Sequence, residues 1–165
     1  MALFLYAPKE MVRLHVLADS DDPRAQRLKM QVVKRVRRRA AAICRGAQSA
    51  DAAFRRLTEG KAHLAAAARR AARLRGYFGA VRVETGVFDF PERVYGGGLA
   101  PAGAYRAGRV RIGSGSGRNW WCVLYPELCA VGAACAQALG RDEAMQFYSS
   151  AARFFARLFG WEAGA

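Results

Sequence analysis

The sequence is poor in lysine, histidine and acidic residues, and it contains no long apolar run. Only four of its 27 basic residues are lysines and only 13 residues are acidic, which leaves a formal net charge of +14. No apolar run approaches the ~20 residues that cross a bilayer, so the sequence predicts no transmembrane helix. The excess of positive charge raises attraction to nucleic acid or anionic lipid, but it does not by itself identify a partner.

Residues suited to metal or cofactor chemistry are also scarce. The two histidines, His15 and His63, lie in separate predicted elements and no C-x-x-C pair is present, so we predict no zinc site. The glycine-rich loop over residues 113–117 lacks the lysine and the Ser/Thr that follow the last glycine of a P-loop. We therefore expect neither a metal nor a cofactor.

The cysteines leave two interpretations open. Their number, four, is even, as in exported proteins that carry disulfides. Cys122 and Cys129 could form a disulfide if the chain turns at Pro126. Alternatively, all four are small buried hydrophobic residues.

Hydrophobic periodicity predicts an ordered series of helices and strands. Apolar residues at every second position from residue 12 to residue 18 indicate a strand with one buried face. Asp19, Asp21 and Asp22, followed by Pro23, suit the start of a helix, which the apolar spacing extends to about residue 43. The other predicted elements are a helix over 49–74 that ends before Gly76, a β-hairpin over 80–94 with its turn at Thr85 and Gly86, a loop over 96–103, strands over 105–112 and 120–125, and helices over 127–139 and 141–159.

These elements predict an α+β fold, with helices packed on one face of a mostly antiparallel sheet and a helical C-terminal tail. We assign residues 1–129 to a single α+β domain and residues 130–165 to a helical extension. With 165 residues, of which 53% are hydrophobic, the chain can bury a core without metals or many disulfides.

Two predicted helices are rich in arginine. No exposed aromatic residue or nucleic-acid-binding module accompanies them, which disfavours nucleic acid as a partner. The favoured interpretation is a solvated helix face with attraction to anionic lipid head groups. The arginines concerned are Arg35, Arg37, Arg38 and Arg39 in the first helix and Arg69, Arg70, Arg73 and Arg75 at the end of the second.

His15, Asp19 and Ser20 are the residue types of a hydrolytic triad. Along an extended strand His15 and Asp19 would lie about 13 Å apart, so a direct hydrogen bond requires the strand to break first. No nucleophile elbow is present. We therefore predict a structural histidine and no enzymatic activity, with a hydrolase kept as an alternative that His15→Ala would test.

The segment over residues 113–129, GSGSGRNWWCVLYPELC, is the most distinctive in the chain. Adjacent tryptophans on a strand point to opposite faces, so one can enter a core while the other meets solvent or a partner. Aromatic anchors surrounded by polar groups are typical of interface hot spots, and an acidic cluster in a basic protein can steer a partner. The residues predicted to bind a partner are Asn119, Trp120 and Trp121, presented by the glycine-rich loop, with His15, Asp19, Ser20 and Asp21 nearby.

The sequence resembles the stage II sporulation protein R family in four blocks that occur in the same order. The resemblance covers about residues 12–129. The blocks are 13–21 (RLHVLADSD) followed by Gln26, Leu28 and Lys29; 90–91 (FP) with 95–96 (YG) and 101–106 (PAGAYR); 112–117 (IGSGSG); and 119–122 (NWWC) with 125–126 (YP) and 128–129 (LC).

The resemblance implies a signalling role in endospore formation. Proteins of this family are made in the forespore and exported into the space between the forespore and mother-cell membranes. There they activate a membrane-embedded aspartic protease that cleaves the pro-form of the mother-cell sigma factor. A complete signal peptide is not evident, since residues 1–7 are apolar but carry no basic segment ahead of them. A basic nucleic-acid-binding module remains the alternative from another class.

Overall fold

The computed structural model describes the backbone of residues 4–5, 8–95 and 98–126, and the side chains of residues 8–94 and 99–126. The chain divides into two compact units, Met1–Cys129 and Ala130–Ala165, and every described residue belongs to the first. The predicted helices over 127–139 and 141–159, and with them the helical extension over 130–165, lie outside the described residues.

The described elements begin and end as follows. They are β1 (Phe4–Leu5), a single 3-10 turn (Pro8–Glu10), β2 (Val12–Leu17), α1 (Pro23–Cys44), α2 (Ala50–Glu59), α3 (Lys61–Arg73), β3 (Val81–Phe90), β4 (Arg93–Tyr95), β5 (Gly98–Ala100), β6 (Gly103–Ile112) and β7 (Asn119–Tyr125). No helix in these ranges is long and apolar enough to cross a membrane.

The main sheet has four strands in the order β3-β6-β2-β7. Strand β2 pairs in parallel with β6 and antiparallel with β7, whereas β3 pairs antiparallel with β6. A smaller sheet has the order β1-β5-β4. The α+β class with a mostly antiparallel sheet is therefore confirmed, and β2 is a central strand that has neighbours on both sides.

The helices pack on one face of this sheet. Val12, Leu14 and Val16 of β2 join Val110 and Ile112 of β6 in one hydrophobic cluster with apolar side chains of the helices. Asp22 starts α1 by accepting a hydrogen bond from the Arg24 N–H at 2.7 Å, and Pro23 occupies the first turn, as predicted. The helix-side residues of the cluster include Val32, Val36, Leu57, Leu64 and Ala68.

Three predictions about the elements are wrong. The predicted helix over 49–74 is two helices, because the chain breaks at Gly60. A Cβ atom on residue 60 would lie 2.9 Å from the Ile43 side chain at the end of α1. The end of α1 can therefore approach this closely only because residue 60 is a glycine. The hairpin with a turn at Thr85 and Gly86 is one continuous strand, since β3 pairs with β6 along its whole length. The predicted loop over 96–103 contains β5.

The prediction that β2 has a single buried face is also wrong. Arg13, at 0% exposed, and His15, at 8%, are buried opposite the helix-facing residues of the strand. Because β6 and β7 flank β2, residues on both of its faces are surrounded by side chains from neighbouring strands. An alternation of apolar and polar residues does not distinguish this situation from a strand whose polar side is solvated.

Candidate functional site

Asp19 and Asp21 hold the glycine-rich loop against the start of α1. The Asp19 carboxylate accepts a hydrogen bond from the Ser114 N–H at 2.7 Å, and the Asp19 carbonyl accepts one from the Ser114 hydroxyl at 2.6 Å. The Ser116 hydroxyl donates to the same carbonyl at 2.7 Å. The Asp21 carboxylate accepts from the Arg118 N–H at 2.6 Å. These contacts fix the segment that leads into the tryptophans.

Glycine is required in this loop because the loop packs directly on the acidic turn. A Cβ atom on Gly117 would overlap the Ser20 backbone carbonyl, and one on Gly113 would overlap the Asp19 carboxylate. Gly113 also has a φ of 57°, in the left-handed region that favours glycine. The glycine-rich composition of the loop therefore follows from its close packing.

A buried lysine joins α1 to the same turn. The Lys29 ammonium donates to the Gln26 side-chain oxygen at 2.7 Å and to the Arg118 carbonyl at 2.9 Å. Gln26 in turn donates to the Ser20 carbonyl at 2.8 Å. Burial first, and then the nearby Arg118, lower the pKa of Lys29, whereas Asp21 acts in the opposite direction. The acidic turn is thus held from the helix and from the loop.

The sheet face opposite the helices carries a cluster of aromatic and basic side chains, which we call the His15 face: Arg13, His15, Phe90, Tyr105 and Trp121. The His15 ring stacks on Trp121 with centroids 5.6 Å apart and lies 5.5 Å from Phe90. The Arg13 guanidinium lies 4.2 Å from the Phe90 centroid and 4.7 Å from that of Tyr105. Cation–π contacts of this kind are stronger when they are desolvated.

Basic residues continue this face toward its edges. The Arg93 guanidinium lies 4.5 Å from the Trp121 ring, and that of Arg109 lies 4.1 Å from the Phe88 ring. Glu84 accepts hydrogen bonds from Arg109 at 2.6 and 2.9 Å, and these bonds lower the pKa of that carboxyl. The face is therefore positively charged around an aromatic centre.

His15 is neutral at physiological pH. Burial lowers the pKa of His15 from 6.5 to about 4, an interaction with the Asn119 side chain opposes this shift, and the charges of Arg109 and Arg13 add to it. Neither ring nitrogen makes a hydrogen bond of good geometry with any described atom. A neutral imidazole stacked between rings provides a contact surface rather than acid–base chemistry.

The predicted partner-binding residues fall in three places. Asn119 and Trp121 lie on the strand beside His15, opposite Leu17 and His15 respectively. Trp120 pairs with Val16 and packs against the helix-side cluster. The remaining three, Asp19, Ser20 and Asp21, lie in the turn that holds the glycine-rich loop. The structure thus separates the two tryptophans, and only Trp121 joins the His15 face.

Two comparisons with known proteins assign this domain to a family. The family model for stage II sporulation protein R matches residues 8–135. The chain belongs to this family. It is also 32% identical over 122 residues to stage II sporulation protein R of Bacillus subtilis (strain 168), a match that covers 74% of this chain and 54% of that protein. The chain spans about half the length of this curated relative, and no solved structure matches it significantly.

The stage II sporulation protein R match contains both cysteines of the predicted bridge. Cys122 is disulfide-bonded, whereas Cys44 is buried in α1, where its sulfur donates to the Ala53 carbonyl at 3.7 Å. Cys129 lies outside the described residues, so its pairing with Cys122 stays a prediction.

The most buried members of the His15 face in this sporulation protein, Arg13, Phe90 and Tyr105, were not among the site residues predicted from the sequence. Arg13 occupies a polar position of the β2 alternation, and the pattern therefore predicted it to be solvated. Phe90 and Tyr105 both belong to the second of the four blocks that carry the family resemblance, which was the available signal. That signal did not show that the two side chains meet, because Phe90 lies at the end of β3 and Tyr105 near the start of β6.

Proposed function

We propose that this chain is a non-enzymatic signalling protein of endospore formation. In this proposal it acts in the space between the forespore and mother-cell membranes and activates a membrane-embedded aspartic protease. The activated protease then processes the pro-form of the mother-cell sigma factor. The observation that carries the proposal is the family match over residues 8–135, which includes all of the described main sheet and its helices.

The geometry around His15 supports a role without catalysis. Its ring contacts Phe90 and Trp121, and the Asp19 carboxylate is bound to the Ser114 N–H. A hydrolase would need an acid and a nucleophile within hydrogen-bond reach of the imidazole. Among the described side chains, no group of three or more His, Cys, Asp or Glu residues could hold a metal ion.

We place the protease contact at Trp121 and Asn119, at the edge of the His15 face. Trp121 is half-buried, with His15 on one neighbouring strand and Arg93 over its ring. A rigid aromatic side chain that is anchored on one side and accessible on the other is typical of an interface hot spot. Asp19 and Asp21 act on this contact indirectly, as positioning residues that hold the loop before it.

A reconstituted processing assay tests both the proposed signalling function and the proposed contact at Trp121. The chain, fused to an export signal, is co-expressed with the candidate sporulation protease of its host and the sigma-factor precursor, and precursor cleavage is followed. We expect cleavage to depend on the chain. Trp121→Ala should reduce it at least about tenfold, the typical loss for a hot spot worth more than 1.4 kcal/mol. Val87→Ala, at an exposed apolar residue on β3, is the matched control and should cleave normally.

The outcomes separate the function from the contact site. If folded and exported wild-type chain gives no cleavage, the signalling function does not hold for this protein. If wild type is active and a folded Trp121→Ala variant is equally active, the function holds and the contact lies elsewhere. Asn119→Ala, a smaller change on the same strand, serves if Trp121→Ala fails to fold, and it should lower cleavage in the same direction.

A further inference from the structure

Two of the helices, α1 and α3, form a surface whose charged side chains are all basic. Helix α1 contains eight basic residues and α3 contains four, and neither contains an acidic residue. None of these twelve side chains takes part in a salt bridge within the described part of the chain. Salt bridges among the described residues therefore do not compensate this positive charge, and the charge would attract an anionic partner.

Four of these twelve basic residues line a groove between α1 and α3. The groove has a volume of about 540 Å³ and a floor of alanine side chains. Its walls carry four arginines, all exposed, so the guanidinium groups are free to reach phosphate groups at the surface. The lining residues used below are Arg35, Arg38 and Arg39 of α1, and His63, Arg70 and Leu74 on the α3 side.

Exposed apolar side chains lie at the end of the same surface. Phe78 is 81% exposed and Leu74 is 67% exposed, the highest values among the large hydrophobic residues described. Leu74 lines the groove itself, and Phe78 lines a second depression together with Arg69 and Arg73. Large apolar side chains next to arginines are characteristic of surfaces that insert into the head-group region of a membrane.

We propose that the α1–α3 groove docks on an anionic phospholipid membrane, with its arginines on lipid phosphates and with Leu74 and Phe78 inserted between head groups. Nucleic acid fits less well, because single strands are held on successive aromatic platforms and the groove lining contains no Phe, Tyr or Trp. Leucine also has no π-face on which a base can stack. This inference goes beyond the signalling function and does not depend on it.

Vesicle co-sedimentation tests the electrostatic part of the inference. We expect the full chain to bind vesicles that contain phosphatidylglycerol, to bind pure phosphatidylcholine vesicles weakly, and to be released as salt rises from about 0.05 M to 0.5 M. Arg38→Gln and Arg70→Gln should each weaken partitioning about fivefold. Arg55→Gln, on the exposed side of α2, removes the same charge outside the groove and should have a clearly smaller effect.

A second pair of variants tests insertion. Leu74→Ser combined with Phe78→Ser should lower partitioning about tenfold at every salt concentration at which the wild-type chain still binds, because the change removes buried apolar area. Val87→Ser, a change at another exposed apolar residue, on β3, should bind like wild type. If the two serine substitutions have no effect, the apolar residues do not enter the membrane.

Three results would overturn the inference. They are equal binding to anionic and neutral vesicles, equal losses for Arg55→Gln and the groove variants, and retention on DNA at physiological salt that is stronger than retention on phosphatidylglycerol vesicles. The last result would identify a nucleic-acid-binding groove instead. No protease is present in the vesicle assay, so its failure would leave the processing assay unaffected.

Discussion

The two faces of strand β2 bury neighbouring residues by different means. On the helix side, Leu14 belongs to a buried cluster of mainly aliphatic side chains and has no polar atom to satisfy. On the other side, Arg13 is just as buried, yet its guanidinium is stacked over the Phe90 and Tyr105 rings. Close apolar packing is non-directional, whereas the stacked face depends on ring orientation and on charge. The comparison shows that two equally buried residues one position apart can respond to entirely different perturbations.

The helix-covered face should respond most strongly to loss of volume. Leu14→Ala removes a fully buried side chain and leaves a cavity, so we expect the free energy of unfolding to fall by about 4 kcal/mol, within the usual 2–5 kcal/mol range. Denaturant unfolding measures this value. Leu74→Ala makes the same chemical change at an exposed residue and should cost less than about 0.5 kcal/mol. A loss below about 1 kcal/mol for Leu14→Ala would show that the helix side is loosely packed.

The His15 face should respond to loss of the buried cation. Arg13→Ala removes two desolvated ring contacts and leaves a cavity, so we expect a loss of about 3 kcal/mol in the free energy of unfolding. Arg93→Ala is the control, because Arg93 also lies over a ring, that of Trp121, but is exposed. Its loss should stay below about 1 kcal/mol. Equal losses in the free energy of unfolding for the two variants would show that burial does not strengthen the contact between the guanidinium and the rings.

The His15 face should make stability depend on pH in the mildly acidic range. The pKa of His15 is about 4 in the folded protein against 6.5 for the ordinary side chain, so the unfolded chain binds a proton more readily. The free energy of unfolding should therefore be constant above pH 6.5 and fall as the pH drops from 6.5 to 4, by about 2 kcal/mol after allowance for partial solvation.

Substitution of each histidine checks the origin of this pH dependence. His15→Phe should abolish most of it, whereas His63→Gln, at an exposed residue of α3, should leave it intact. The difference between wild type and His15→Phe cancels the contribution of carboxyl groups such as Glu84, whose pKa values are also lowered. An unchanged pH dependence in His15→Phe would mean that the imidazole is not buried in its neutral form.

Much of the local structure could be predicted from short-range patterns. The alternation from residue 12 located β2, and Asp22 with Pro23 marked the start of α1. The opposite orientations of Trp120 and Trp121 followed from strand geometry alone. What could not be predicted was the outcome of competing local signals. Gly86 suggested a turn and Gly60 suggested nothing, yet the helix breaks at Gly60 and the strand continues through Gly86.

The sequence by itself determined the type of most elements, the helix cap and the family, because these depend on neighbouring residues or on motifs that can be compared directly. Only the tertiary structure decided that β2 is central, that Arg13 and His15 are buried, and that Trp121 rather than Trp120 joins them. Each of these depends on pairing between strands that are distant in the chain, such as β2 with β6 and β7. The free energy of such pairing comes from many side chains at once, and no single segment encodes it.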